Sequence, residues 1–145
     1  MKNPKSLVLI AIQVITLLYL FVTGPIIPTD PIILLIFLAG IALGLWAVYS
    51  FRTTKFSWLP EIPENAALVT AGPYRVIRHP MYTAVILITA ALLINEPSAS
   101  RLIAWVILLV DLLYKTALEE SYLHHHFKQY GEYLANTQRL IPFLY

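Results

Sequence analysis

Between Lys5 and Asp30, and again between Asp30 and Arg52, the chain carries no charged side chain. Stretches of that length and apolarity fit a bilayer, whose hydrocarbon core of about 30 Å takes roughly 20 apolar residues per helix. The rest of the composition agrees. Of 145 residues, 59% are hydrophobic and 12% charged, whereas soluble domains run near 45–50% and about 25%. Too little charge is present to coat a soluble surface. The expected fold class is an all-α integral membrane protein of about four transmembrane helices, with a cytoplasmic loop and a C-terminal amphipathic helix.

Several classes fall away on simple counts. There is no cysteine, so disulfides, thiol catalysis and thiolate metal sites are excluded. A net charge of +2 is too small to point to nucleic acid. Lys2 and Lys5 before the apolar run Leu7 to Val22 resemble a signal peptide. No small-x-small cleavage site follows, and Gly24-Pro25 leads into a second apolar run. The run therefore reads as a retained first helix.

Four spans are expected: Ser6 to Thr23, Pro31 to Phe51, Met81 to Asn95, and Arg101 to Leu118. Gly40 and Gly44 form a small-xxx-small pair on the second, which lets a neighbouring helix approach or is simply tolerated there. The segment Arg52 to Pro80, with Pro60, Pro63, Pro73 and Pro80, reads as an ordered surface loop with Trp58 near the interface. The third span is short, about 22 Å at 1.5 Å per residue. It and the fourth either cross fully or form a re-entrant hairpin. The fourth is expected to continue outward as an amphipathic helix through Leu123, Phe127 and Tyr130, ending or bending at Gly131. Arg101 alone among the ten basic residues falls in the second turn, and nine lie in the tails, the long loop and, for Lys115, the far end of the fourth span. The positive-inside rule then puts both termini and that loop in the cytoplasm. The chain reads as one membrane domain: two N-terminal spans over 1–51 and a functional half over 52–145.

Three clusters carry possible chemistry. In Gly72-Pro73-Tyr74-Arg75-Val76-Ile77-Arg78-His79-Pro80-Met81-Tyr82, Pro80 can sit in the first turn of the third span. Arg78 and His79 then precede a helix N-terminus, which suits a carboxylate or phosphate. The same residues also suit a basic anchor with an interfacial tyrosine. In the second cluster, Asp111–Lys115 and Lys115–Glu119 are at salt-bridge spacing. An acid such as Asp111 within an apolar run is functional or paired. Glu119 and Glu120 point to different helix faces, so at least one can look into the bundle. The third cluster, Tyr130, Tyr133, Arg139 and Pro142, reads equally as a headgroup anchor. His124-His125-His126 fan out around a helix and cannot all grip one ion. No metal is expected.

In order, Leu68-Val69-Thr70-Ala71-Gly72-Pro73-Tyr74-Arg75, Arg78-His79-Pro80-Met81-Tyr82, a helical hairpin, Glu119-Glu120-x-x-Leu123-x-x-x-Phe127-x-x-Tyr130-x-x-Tyr133 and Arg139-x-Ile141-Pro142 resemble the isoprenylcysteine carboxyl methyltransferase superfamily. That superfamily includes phospholipid N-methyltransferases and prokaryotic relatives. The resemblance covers roughly residues 52–142. It implies S-adenosylmethionine as cofactor, held by Arg78, His79, Tyr82, Glu119, Glu120 and Tyr130. It implies a lipid-like or hydrophobic methyl acceptor entering from the bilayer, with Lys115 and Glu120 as catalytic residues. The family's usual arginine is Lys115 here, and its usual glycine after the motif tyrosine is Ala84. Two other readings stand beside it. One is an NADPH-dependent membrane reductase related to sterol reductases. The other is a four-helix transporter or structural protein, which the lack of an acid within the early spans disfavours.

Overall fold

The computed structural model describes residues 4–52 and 67–142. Lys2, Lys55, Trp58, Pro60 and Pro63, and with them the expected interfacial tryptophan and residues 53–66 of the long loop, lie outside the described residues. Among the described residues the fold is all-α. Helices α1 (Pro4–Val22), α2 (Pro31–Ser50), α3 (Pro80–Asn95), α4 (Ala99–His126) and α5 (Tyr130–Ala135) follow in order, with a 3-10 turn at Gly72–Arg75 before α3.

The helix starts have local causes. Asp30 caps α2, its carboxylate accepting from the Ile32 and Ile33 N–H groups at 2.8 and 3.1 Å. Pro31 and Pro80 occupy the first turns of α2 and α3, where a missing N–H does no harm. Ser98 caps α4 by accepting from the Arg101 N–H at 3.3 Å. Helices α1 and α2 are long and apolar enough to cross a membrane, and α3 is a shorter apolar helix of 16 residues. Residues such as Ile15, Leu18, Ile32, Leu35 and Leu45 are exposed on α1 and α2. Those faces suit lipid, since the helices of a soluble core would cover them.

Packing pairs α2 with α3 and α1 with α4. One core cluster joins Leu20 of α1 to Ala104, Leu108 and Leu112 of α4, and a second joins Phe37 of α2 to Ala91 and Leu92 of α3. The two glycines of α2 are part of this packing. A Cβ on Gly40 would stand 2.8 Å from Ile88 Cγ1 and 3.1 Å from the Ile88 backbone nitrogen, and one on Gly44 would meet Ala84 Cβ at 3.4 Å. Ala84 therefore faces α2, and its extra methyl is accommodated in the helix contact.

Arg101 is 2% exposed and works as a staple. Its guanidinium donates to the Leu20 carbonyl at 3.0 Å, the Thr23 hydroxyl at 2.8 Å and the Leu92 carbonyl at 2.7 Å. It thus satisfies carbonyls near the C-terminal ends of both α1 and α3.

The expected bend at Gly131 falls earlier. Helix α4 ends at His126, Phe127 is extended (φ −111, ψ 115), and Gly131 lies inside α5. Continuing α4 would carry Tyr130 away from the bundle. The break at Phe127 turns it back, and Tyr130 becomes fully buried.

Candidate functional site

The segment after α5 returns to the start of α3. Ile77 and Gln138 form a parallel bridge, with the Arg78 N–H donating to the Gln138 carbonyl at 2.8 Å and the Gln138 N–H to the Val76 carbonyl at 3.0 Å. The Thr83 hydroxyl extends this contact by donating to the Leu140 carbonyl at 2.7 Å. Gly72, with φ +61, sets the approach to this segment; a Cβ there would fall 2.5 Å from Ser50 Oγ and 3.1 Å from Trp46 Nε1. Glycine is required both by the backbone conformation and by the space.

Three elements then converge: the start of α3, the outer turns of α4, and the returning segment. Glu120 is the hub. Its carboxylate accepts from Arg78 Nε at 2.8 Å and from an Arg139 terminal nitrogen at 2.5 Å, and lies 3.3 Å from His79 Nε2. The other ring nitrogen of His79 stands 3.4 Å from Glu119 Oε2. Both imidazole nitrogens thus face carboxylate oxygens, and only the imidazolium can donate from both. Burial opposes that charge, but the bonds and charges of Glu119 and Glu120 outweigh it and raise the His79 pKa. Burial likewise works against the Glu120 charge, yet His79, Arg139 and Arg78 bring its pKa down to about 2.

Tyr82 lies alongside. Its hydroxyl donates to Glu119, and its ring stacks on that of His79 with centroids 5.7 Å apart. On the other side Lys115 Nζ sits 5.4 Å from the Tyr82 ring centroid. Lys115 is 2% exposed and donates to the Gln13 side chain across the bundle. The expected Asp111–Lys115 and Lys115–Glu119 ion pairs do not form among the described residues. The lysine stem turns to the α1 amide and the aromatic face instead.

Tyr130 is buried at the edge of the cluster, its ring centroid 6.3 Å from that of His124 and 5.8 Å from that of Tyr133. Its hydroxyl has no hydrogen-bond partner. Burial first, then the Glu120 charge, pushes its pKa up, so it stays a protonated donor. Tyr133 serves the frame by donating to the Tyr74 carbonyl at 2.7 Å.

Arg78, His79, Tyr82, Glu119 and Glu120 thus come together, with Lys115 beside Tyr82 and Tyr130 beside His124 and Tyr133. Arg78, however, is committed. Besides Glu120, reached through Nε, it donates through one terminal nitrogen to the Thr137 carbonyl. Gln13 and Thr137 enter the site without having been expected there, and Arg139, expected only within the third cluster and its motif, joins Glu120. A lone glutamine in an apolar span is a signal in itself. Nothing local in the sequence ties Thr137 or Arg139 to Glu120. The three consecutive histidines stay exposed on the last turn of α4, His125 Nδ1 lying 2.6 Å from the Ser121 carbonyl.

A buried ion cluster beside an aromatic ring, at the end of an apolar helical bundle, suits an enzyme that works on a substrate from the bilayer. Comparison with family models gives the class as methyltransferase. The chain belongs to the phospholipid methyltransferase family, whose model matches residues 32–130, from the start of α2 to Tyr130. Gln13 and Arg139 lie outside the matched range. No curated protein and no solved structure matches the chain.

Proposed function

We propose that this protein transfers a methyl group from S-adenosylmethionine to a lipid-type acceptor at the cytoplasmic face of the membrane. The observation that carries the reading is His79 held between Glu119 and Glu120 with Tyr82 stacked on it, within the range that matches the family. The residues fit the donor. An imidazolium just before the first turn of α3 suits a carboxylate. Glu119, the more open of the two acids with 22% side-chain exposure, and the face of Tyr82 suit positive charge. The partnerless buried hydroxyl of Tyr130 offers a donor to a polar ligand.

In this reading His79, Tyr82, Glu119 and Tyr130 hold the cofactor, which supplies an activated methyl group when bound. Arg78, Arg139 and Glu120 act as positioning residues that fix His79 and tie the returning segment to α4. Lys115 faces the acceptor side, fixed by Gln13 and the Tyr82 ring. The apolar surroundings exclude water, and orientation supplies most of what a displacement at carbon requires. For topology, the distribution of basic residues supports four crossings with both termini in the cytoplasm.

Calorimetry of detergent-purified protein with S-adenosylhomocysteine tests the reading. Saturable binding that weakens in His79→Ala is expected. Absence of binding, or binding of NADPH in its place, would overturn it.

A further inference from the structure

Asp111 is 4% exposed, and both of its carboxylate oxygens are buried without a hydrogen-bond partner. It sits in the apolar part of α4, flanked by the buried residues Leu108 and Leu112. A buried acid without a partner is costly, and in a membrane helix it marks a functional position. Lys115, one turn along α4, is turned to Gln13 and to the ring of Tyr82. Asp111 nonetheless lies within electrostatic reach of Lys115 and of Tyr82. Because the Tyr82 hydroxyl is bound to Glu119, this one side chain links the orphan acid to the cluster that would hold the methyl donor.

We propose that Asp111 is the acceptor-binding residue: its buried, partnerless carboxylate receives the ammonium end of an amine-bearing lipid headgroup and takes up one of its protons. The freed nitrogen lone pair then forms the new N–CH3 bond as the donor's S–CH3 bond breaks and its sulfur leaves as a neutral thioether. The inference rests on the methyltransferase reading and specifies the acceptor end of that site. A carboxylate in a low-dielectric interior attracts a cation strongly and repels an acid or thiolate equally strongly. An ammonium also brings the donors that both orphan oxygens lack. Asp111 lies one turn before Lys115 on α4, deeper in the apolar span of the proposed topology.

The test measures binding to detergent-purified protein of a short-chain phosphatidylethanolamine, the matching phosphatidic acid, and free ethanolamine, with S-adenosylhomocysteine titrated in parallel. The wild type is expected to bind the amine lipid at least tenfold more tightly than phosphatidic acid, and free ethanolamine far more weakly than either. Asp111→Asn should erase the preference for the amine lipid while S-adenosylhomocysteine affinity stays unchanged. Asp111→Leu should raise the melting temperature, since it removes an unpaired buried acid; a purely structural role would lower it. A wild type that binds S-adenosylhomocysteine but favours phosphatidic acid overturns the assignment and leaves the methyltransferase reading intact. An unchanged preference in Asp111→Asn does the same. Ethanolamine competing as well as the lipid overturns the lipid acceptor. A wild type that does not bind S-adenosylhomocysteine removes the reading itself.

Discussion

Nε2 of His79 stands 3.3 Å from Oε1 of Glu120, which places an imidazolium and a carboxylate in contact inside a buried cluster. This pair gives the fold a dependence on pH from both sides. The His79 pKa is raised above 6.5, so its contribution is fully present below pH 6.5 and is lost as pH rises through the folded value. The Glu120 pKa is lowered from 4.5 to about 2. Its contribution is present above 4.5 and is lost as pH falls toward 2. Thermal unfolding in detergent should therefore show stability declining above pH 6.5 and again below 4.5. In His79→Gln the alkaline decline should flatten.

Glu119 and Glu120 are neighbours in sequence with different duties. Glu120 is bound by Arg78, Arg139 and His79. Glu120→Gln should lower stability by about 3 kcal/mol, the usual consequence of leaving a buried cation without its partner. Glu119→Gln should leave the melting temperature nearly unchanged and weaken S-adenosylhomocysteine binding about tenfold, the loss of one charged contact. Calorimetry and thermal scans on the same samples separate the two.

The glycines of α2 make a matched pair. Gly40→Ala would drive a methyl to 2.8 Å from Ile88 Cγ1 and 3.1 Å from its backbone nitrogen, and should destabilise by about 1–3 kcal/mol through overpacking. Gly44→Ala meets Ala84 at 3.4 Å, an ordinary contact. It should be neutral or stabilising by up to about 1 kcal/mol, since alanine favours a helix. Equal melting temperatures for the two variants would contradict the α2–α3 packing.

Arg101 should not tolerate lysine. A guanidinium reaches the Leu20 and Leu92 carbonyls and the Thr23 hydroxyl together, and an ammonium lacks that fork. Arg101→Lys should cost about 2 kcal/mol for a buried carbonyl left unsatisfied, read as a lower melting temperature with S-adenosylhomocysteine affinity preserved.

Much of this was legible in the sequence where the cause is local. Uninterrupted apolar runs locate α1 and α2, Asp30-Pro31 marks a helix start, and His79-Pro80 marks another. The small-xxx-small spacing left close approach and mere tolerance open, and the contact of Gly40 with Ile88 selects close approach. The ion pairs that spacing on α4 suggested for Lys115 do not form, because its ammonium turns to another helix. Gln13 lies 102 residues away, and only the packing of α1 on α4 brings it near. Thr137 and the pairing of Arg139 with Glu120 were not legible for a similar reason. Their role depends on the chain doubling back at Phe127, and no residue there announces a break.

The bridge between Ile77 and Gln138 has a bearing on biogenesis. Residues 137–140 are synthesised after all four long helices, yet the Thr137 carbonyl and Arg139 anchor Arg78 and Glu120. Helices already inserted in the bilayer would still lack this clasp until those residues leave the ribosome. In the proposed reading the cluster around Glu120 is therefore completed only as a late, single event, once residues 137–140 have emerged.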